Sequence, residues 1–214
     1  MHAHTGSKDG SVVVANVREN KLSEVAEFSD VLEGHIVKCC RWREDTPASA
    51  PTLLACGGNN HTVRLVDVRE GGGRGNGGTV LHAADSAVSF VQWCPADQNI
   101  LMSCSHDTCI KLWDIRAPRA ALHSLQGHHQ VPRGARVKGM HRASFFAGGR
   151  YVVTTGEKTN LISIYNVATG AAVSRGNADG TGTSCAAFED GQGCLVAVAS
   201  ASQIALYTPL PLHE

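Results

Sequence analysis

The chain has 214 residues, enough for one large or two small domains, and its 43% hydrophobic and 18% charged residues are ordinary for a folded globular protein. Lys+Arg and Asp+Glu are equal at 19 each, which argues against a protein that binds nucleic acid directly through a broad basic surface. No apolar stretch approaches the roughly 18 residues needed to span a bilayer, so no membrane partner is expected.

Cysteine and histidine are frequent, with eight and 11 residues. Most cysteines fall inside apolar strand-like runs, which favours buried free thiols in a reducing compartment over a disulfide scaffold. No C-x-x-C pair occurs and the histidines lack ligand spacing, so neither a metal site nor another cofactor is expected. No arrangement typical of an acid–base pair, a nucleophile or a triad stands out, and we therefore predict a protein that is not an enzyme.

Alternation of apolar and polar residues is the main secondary-structure signal along the chain. A period of two with β-branched residues predicts strands. No segment shows a capped helical period, so the predicted fold is all-β. The clearest runs, in chain order, are Ser11–Val17, Thr62–Val68, Cys109–Ile115, Leu161–Val167 and Gln203–Tyr207.

These five runs repeat one another. Alignment on Trp113 places Ala15, Val66, Tyr165 and Tyr207 at equivalent positions, at intervals of 51, 47, 52 and 42 residues. A repeat near 40–45 residues with a Trp-Asp ending is typical of the four-stranded blades of a WD-repeat β-propeller. Longer intervals are explained by loop insertions, which cost little in closure entropy; these are Asp45–Pro51, Gly71–Gly78 and Gln130–Gly139.

The remaining parts of each repeat can also be found. Gly34-His35 and Gly127-His128 lie where a WD repeat has its Gly-His turn, so His35 and His128 are interpreted as structural turn histidines, and Tyr165 and Tyr207 as structural repeat positions. Predicted innermost strands are Cys39–Trp42, Val88–Trp93, Met140–Phe146 and Cys185–Phe188; the strands that follow them are Leu53–Gly57, Ile100–Ser105, Tyr151–Gly156 and Leu195–Ser200.

Counting these parts predicts a single incomplete propeller over residues 1–214, with about three complete blades and parts of two more. The approximate segments are 5–33, 34–80, 81–125, 126–172 and 173–210. A shortened gene product or a fragment is favoured over a four-blade ring. An open arc would leave strand edges that a partner must cover to prevent aggregation.

The most specific stretch is Leu101–Arg116. In a propeller, Asp107 accepts hydrogen bonds in the turn and Trp113 packs between neighbouring blades, so both have a structural explanation. Arg116 lies just past the strand and has none, and arginine suits bidentate contacts to partner carboxylates or carbonyls. Val66-Asp67-Val68-Arg69 repeats the Asp and the Arg without the Trp.

One basic stretch stands out, formed by Arg133, Arg136, Lys138 and Arg142. It lies in the long link before a predicted innermost strand. A solvated loop explains it, and so does a contact to an acidic partner or to nucleic-acid phosphates.

The order of these motifs, from Ser7–Val14 through Val63–Asp67, Val91–Pro95 and Ile110–Arg116 to Ile204–Thr208, resembles the Cockayne syndrome group A family of WD-repeat proteins. The resemblance implies a nuclear, non-catalytic substrate receptor of a cullin-4 RING ubiquitin ligase in transcription-coupled nucleotide excision repair. It also implies that Trp113, Asp114 and Arg116, with Asp67 and Arg69 as a weaker second copy, dock the adaptor propeller, while substrate proteins bind elsewhere. The alternative is a general WD-repeat protein-interaction scaffold in chromatin or RNA processing.

Overall fold

A computed structural model describes residues 2–18, 21–43, 52–70, 73–74, 78–107, 109–128, 142–156, 159–178, 182–190, 193–200 and 203–208. Within these ranges the chain forms β-strands and one short 3-10 turn at Val68–Glu70, without an α-helix. Five sheets follow one another along the chain, and the prediction of an all-β, partial propeller is confirmed.

The first two sheets occupy the N-terminal part of the chain. Sheet 1 contains β1 (His2–Gly6), β2 (Val12–Arg18) and β3 (Lys21–Ser29), and the two-residue β7 (Gly73–Arg74) adds to β3 in parallel. Sheet 2 contains β4 (Val37–Trp42), β5 (Leu53–Gly58), β6 (Val63–Asp67) and β8 (Val80–Leu81), in that order and antiparallel.

The other three sheets are antiparallel meanders. Sheet 3 contains β9 (Val88–Trp93), β10 (Ile100–Ser105), β11 (Ile110–Asp114) and β12 (His123–Leu125). Sheet 4 contains β13 (Ala143–Phe146), β14 (Tyr151–Thr155), β15 (Leu161–Asn166) and β16 (Ala172–Asn177). Sheet 5 contains β17 (Gly182–Asp190), β18 (Gly193–Ser200) and β19 (Ile204–Tyr207).

Strand β11 shows why the sheets stack. Successive side chains of a strand point to opposite faces. Ile110 and Leu112 accordingly pack in the cluster shared with sheet 4, while Trp113 packs in the cluster shared with sheet 2. A strand that is apolar on both faces cannot lie at a surface, so sheet 3 is held between its neighbours.

The core consists of four apolar clusters, one at each junction between successive sheets. Each cluster takes side chains from two sheets, and burial of this area supplies most of the stabilising free energy. Representative buried pairs across the junctions are Phe28 and Leu54, Leu81 and Trp113, Met102 and Phe145, and Val153 and Val198.

The end of sheet 4 lies beyond the boundary predicted between segments 126–172 and 173–210, because strand β16 belongs to sheet 4. Its residues Ala172–Asn177 pair with β15, so the fourth sheet extends into the segment expected at 173–210. The polar turn after β15 gives no indication of which sheet the next strand joins. The predicted insertions Asp45–Pro51 and Gln130–Gly139 lie outside the described residues, as do parts of Gly71–Gly78.

All eight cysteines are free thiols, as predicted, and five of them are buried: Cys40, Cys56, Cys94, Cys104 and Cys185. Burial away from water disfavours the thiolate and raises the pKa of Cys185 to about 12. Such a thiol is inert as a nucleophile near neutral pH. In the described part of the chain, no helix is long and apolar enough to cross a bilayer.

Candidate protein-interaction surface

The two Asp–Arg pairs selected from the sequence occupy equivalent places on neighbouring sheets. Asp67 ends β6 and Asp114 ends β11, each the third strand of its sheet. Asp67 pairs in register with Leu53 and Asp114 with Ile100, at the beginning of the second strand. Both pairs therefore lie at the edge where the first strand ends and the second begins, which we call the docking edge.

Arg116 folds back onto Asp114 with a bidentate geometry. Its Nε lies 2.9 Å from Oδ1 and its Nη2 lies 2.7 Å from Oδ2, while the Arg116 backbone N–H donates to the same carboxylate at 3.0 Å. The Arg116 side chain is 63% exposed and that of Asp114 is 22% exposed. The carboxylate thus holds a solvent-facing guanidinium in one orientation, because a bidentate contact fixes both position and plane.

Arg69 repeats this arrangement on Asp67. Its Nε donates to Oδ1 at 3.0 Å and its Nη2 to Oδ2 at 2.5 Å, and its side chain is 71% exposed. Val66 precedes Asp67 at the position where Trp113 precedes Asp114, and the Asp67–Arg69 ion pair forms without a tryptophan. The Asp-x-Arg geometry is therefore independent of the tryptophan that precedes it.

A cavity of about 420 Å³ opens at the docking edge between sheets 2 and 3. Arg41, Trp42 and Arg43 line it from the end of β4, while Trp93 and Gln98 line it from the end of β9 and the loop beyond. The Trp93 indole N–H donates to the Arg41 carbonyl at 3.0 Å and ties the two sheets together. Arginine and tryptophan are enriched at the centres of protein interfaces, so this composition suits protein binding.

Trp113 itself plays a structural part. Its side chain is 2% exposed and its indole N–H donates to the Ser103 hydroxyl at 3.0 Å. It packs in the cluster between sheets 2 and 3 rather than facing solvent. Of the sequence-selected docking residues, the structure therefore exposes the arginines, leaves about a fifth of each aspartate side chain exposed and buries the tryptophan.

The two turn histidines differ. His128 is fully buried, and its Nδ1 lies 3.1 Å from the Tyr165 hydroxyl, which donates to the Gln126 carbonyl at 2.7 Å. His35 is exposed, and its Nδ1 contacts the carbonyls of its own turn. The third strands differ at the equivalent position, where sheet 4 has Tyr165 in contact with His128 and sheet 2 has the apolar Val66.

Asp107 accepts hydrogen bonds from backbone donors in its turn. The Cys109 N–H lies 3.0 Å from Oδ1, and the Asp85 N–H from the preceding link lies 2.8 Å from Oδ2. Asp107 thus fastens the β10–β11 turn to the chain that enters β9. Tyr207 pairs with Val196 at the edge of sheet 5 and packs against the cluster shared with sheet 4.

Sequence reasoning missed the cavity at the docking edge. Arg41 and Arg43 alternate with Trp42, and this basic–aromatic pattern was a usable signal. Of the predicted basic stretch, Arg133, Arg136 and Lys138 lie outside the described residues, whereas Arg142 is exposed immediately before β13. Among the described residues, no group of three or more histidine, cysteine or acidic side chains lies close enough together to hold a metal ion.

The pKa of Asp114 gives a direct test of its ion pair. Hydrogen bonds from the Arg116 side chain and backbone hold this pKa at about 2. Since the folded pKa is depressed, the contribution of the pair to stability is present above the unfolded pKa and is lost as the pH falls through the folded value. We expect an NMR carboxyl titration to give a midpoint near 2, returning towards about 3.9 in Arg116→Ala. An unchanged midpoint in the variant would contradict the pairing.

Residues 78–114, which include β8 of sheet 2 and β9, β10 and β11 of sheet 3, match the family model "WD40: WD domain, G-beta repeat". The chain is similar to the Ribosome biogenesis protein WDR12 homolog of Nematostella vectensis, at 40% identity over 75 residues, or 35% of this chain and 18% of that protein. The Chlamydomonas reinhardtii homolog is 40% identical over 70 residues, 32% of this chain and 16% of that protein. The Polycomb protein esc of Musca domestica is 29% identical over 124 residues, 53% of this chain and 28% of that protein.

Residues 78–114 therefore contain a WD40 repeat, and the sheets of the described residues have the arrangement of propeller blades. The matched stretch spans less than a third of the length of each of these three relatives. Their names concern ribosome biogenesis and Polycomb proteins, and none of the three refers to a cullin-4 ligase or to DNA repair. The finer resemblance to the Cockayne syndrome group A family is not supported by these relatives.

Proposed function

We propose that the chain is a non-catalytic protein-interaction scaffold of the WD-repeat class that acts in the nucleus, in ribosome biogenesis. Two relatives at 40% identity carry ribosome biogenesis in their names, and this role agrees with the RNA-processing alternative drawn from the sequence. The stretch that this chain shares with each of these two relatives is 70–75 residues long.

The observation that carries the proposal is the docking edge. It presents the oriented guanidiniums of Arg69 and Arg116 on neighbouring sheets, with the Arg- and Trp-lined cavity between those sheets. Such a surface can take acidic side chains or backbone carbonyls of a partner on its two arginines and an apolar side chain in the cavity. These are the elements of a protein–protein interface.

We expect the tagged protein, expressed in its own host cells, to sediment with pre-ribosomal particles on a density gradient. The double substitution Arg69→Ala/Arg116→Ala should shift most of the protein to the light fractions, because it removes both oriented donors without entering the core. The measurement is the fraction of tagged protein in the heavy fractions, determined by quantitative immunoblot.

Lys8→Ala/Arg175→Ala is the matched control, because it removes the same number of exposed positive charges away from the docking edge. Lys8 lies in the β1–β2 turn and Arg175 on the outer strand β16. This control should sediment as the parent protein does. Absence of the parent protein from pre-ribosomal fractions would refute the role in ribosome biogenesis, and equal loss in both variants would refute the docking edge.

The Asp114–Arg116 geometry favours a second candidate function, docking to the adaptor propeller of cullin-4 ubiquitin ligases. That interpretation rests on the Trp113-Asp114-Ile115-Arg116 motif, whose arginine is held outward by a bidentate carboxylate. Under it the chain would be a substrate receptor in transcription-coupled repair. Co-purification with the adaptor, reduced at least about tenfold by Arg116→Ala, is the expected result. Failure of the parent protein to capture the adaptor would exclude this candidate.

A further inference from the structure

Two cysteine side chains meet inside the junction between sheets 1 and 2. Cys40 of β4 and Cys56 of β5 are register partners on neighbouring antiparallel strands. Both belong to the apolar cluster that sheets 1 and 2 share, so the two side chains point to the same face of sheet 2. Cys40 is 6% exposed and Cys56 is fully buried. The fold therefore places two free thiols side by side.

The hydrogen-bond pattern of β4 and β5 sets how closely these thiols approach. The Arg43 N–H donates to the Leu53 carbonyl at 2.8 Å, so Arg43 and Leu53 are a hydrogen-bonded pair. The two kinds of pair alternate along an antiparallel ladder, which makes Cys40 and Cys56 a non-hydrogen-bonded pair. Such pairs have Cα atoms about 4.5 Å apart. A disulfide needs a Cα–Cα separation of about 4.4–6.8 Å, so the backbone already suits a bond between the two sulfurs.

The two reduced thiols also interact with each other. A hydrogen bond between the Cys40 and Cys56 side chains, together with burial, raises the pKa of Cys56 well above its usual value. Cys56 is therefore a protonated thiol near neutral pH. Its S–H group lies beside the Cys40 sulfur, where the proton can be transferred to a group that leaves that sulfur.

The adjacent Cys39 points away from this pair. Its register partner is Gly57, and its thiol donates to the Gly57 carbonyl at 3.6 Å. It packs against the cluster between sheets 2 and 3, on the other face of sheet 2. Successive side chains of a strand point to opposite faces. Cys40, and not Cys39, can therefore reach Cys56 without a change of register.

We propose that Cys40 and Cys56 are a redox-sensitive pair, which a hydroperoxide converts into a reversible disulfide between β4 and β5. The free dithiol is the resting state, and a disulfide that forms in a reducing compartment is typically transient and redox-sensing. The covalent link restricts the unfolded chain between residues 40 and 56, so the oxidised protein resists unfolding more strongly. The inference does not depend on the proposed function.

The reaction with hydrogen peroxide has two steps. The sulfur of Cys40, the more exposed of the two thiols, attacks a peroxide oxygen. An S–O bond forms, the O–O bond breaks, and the released hydroxide takes the Cys40 proton and leaves as water. The Cys56 sulfur then attacks the Cys40 sulfenic acid. The S–S bond forms, the S–O bond breaks, and the Cys56 proton leaves with the hydroxyl group as a second water. The two thiols lose two electrons and two protons, and the peroxide is reduced to water.

The test is mass spectrometry of the full 214-residue chain, treated with hydrogen peroxide under native conditions and then blocked with N-ethylmaleimide. We expect the loss of two hydrogen atoms, a linked peptide pair that joins Cys40 to Cys56, and return of the reduced mass after dithiothreitol. The melting temperature of the oxidised chain should rise by roughly 5 °C, measured by circular dichroism. These readouts need no substitution, so they hold even if a variant folds poorly.

Three variants identify the sulfurs that react. Cys40→Ala and Cys56→Ala should each abolish the linked peptide pair and the rise in melting temperature. Cys39→Ala is the matched control, because it removes the adjacent thiol on the other face, and it should form the link as the parent chain does. A link that includes Cys39, a link that forms only in denaturant, or oxidation of the folded chain that stops at sulfenic or sulfinic acid would overturn the proposal.

Discussion

Trp113→Ala is expected to lower the free energy of unfolding by about 3–5 kcal/mol. The Trp113 side chain is 2% exposed and fills the junction between sheets 2 and 3, where it packs with Leu81 and Leu101. Its removal leaves a cavity and deprives the Ser103 hydroxyl of the indole donor at 3.0 Å. In a chain of this size the melting temperature should fall by about 10 °C, measured by differential scanning calorimetry or by circular dichroism.

Trp113→Phe is the control that separates volume from hydrogen bonding. It keeps an aromatic ring at the junction and removes the indole N–H, so we expect a cost of about 1–2 kcal/mol. If the alanine and phenylalanine variants lose the same free energy, the ring does not support the junction. Arg116→Ala should leave the melting temperature nearly unchanged, since its side chain is 63% exposed.

Gly156→Ala is expected to lower the free energy of unfolding by about 1–3 kcal/mol. Gly156 is buried directly after β14, and a Cβ there would overlap the carbonyl oxygen of His128 and the methyl group of Thr159. The backbone must then move, which disturbs the contact between the His128 ring and the Tyr165 hydroxyl. Chemical denaturation of the purified chain measures the change.

Gly176→Ala is the matched control on the same sheet. Gly176 lies on the exposed strand β16, and a Cβ there would meet no atom within 4 Å. The change should stay within about 0.5 kcal/mol or stabilise the chain slightly, because alanine loses less backbone entropy than glycine in a strand. Equal destabilisation by the two substitutions would show that close approach at Gly156 is not the cause.

Local patterns in the sequence predicted the strands well. The run Cys109–Ile115 alternates apolar and polar residues, and β11 occupies Ile110–Asp114. The register of β10 with β11 then places Ser103 and Trp113 on neighbouring strands, where the hydroxyl can reach the indole. Such contacts are predictable because period, turn and repeat spacing are encoded within a few residues of one another.

The binding features were less predictable. Asp114 and Arg116 are two residues apart, so their pairing could be expected from the motif, as could that of Asp67 and Arg69. The cavity at the docking edge joins β4 to β9, and a second, smaller cavity joins β1, β4, β9 and Arg142. These residues are separated by long stretches of chain, and no local pattern specifies that they meet.

By itself, the sequence determined the repeated unit, the all-β class and the position of Arg116 after a strand, because these depend on short-range alternation and spacing. The tertiary structure decided which residues face outward. It buried Trp113 and His128, left His35 and Arg116 at the surface, and brought Arg41 and Arg142 to the ring of Phe90. The physical reason is that burial and charge proximity depend on how successive sheets pack, and that packing is fixed by apolar faces contributed from distant parts of the chain.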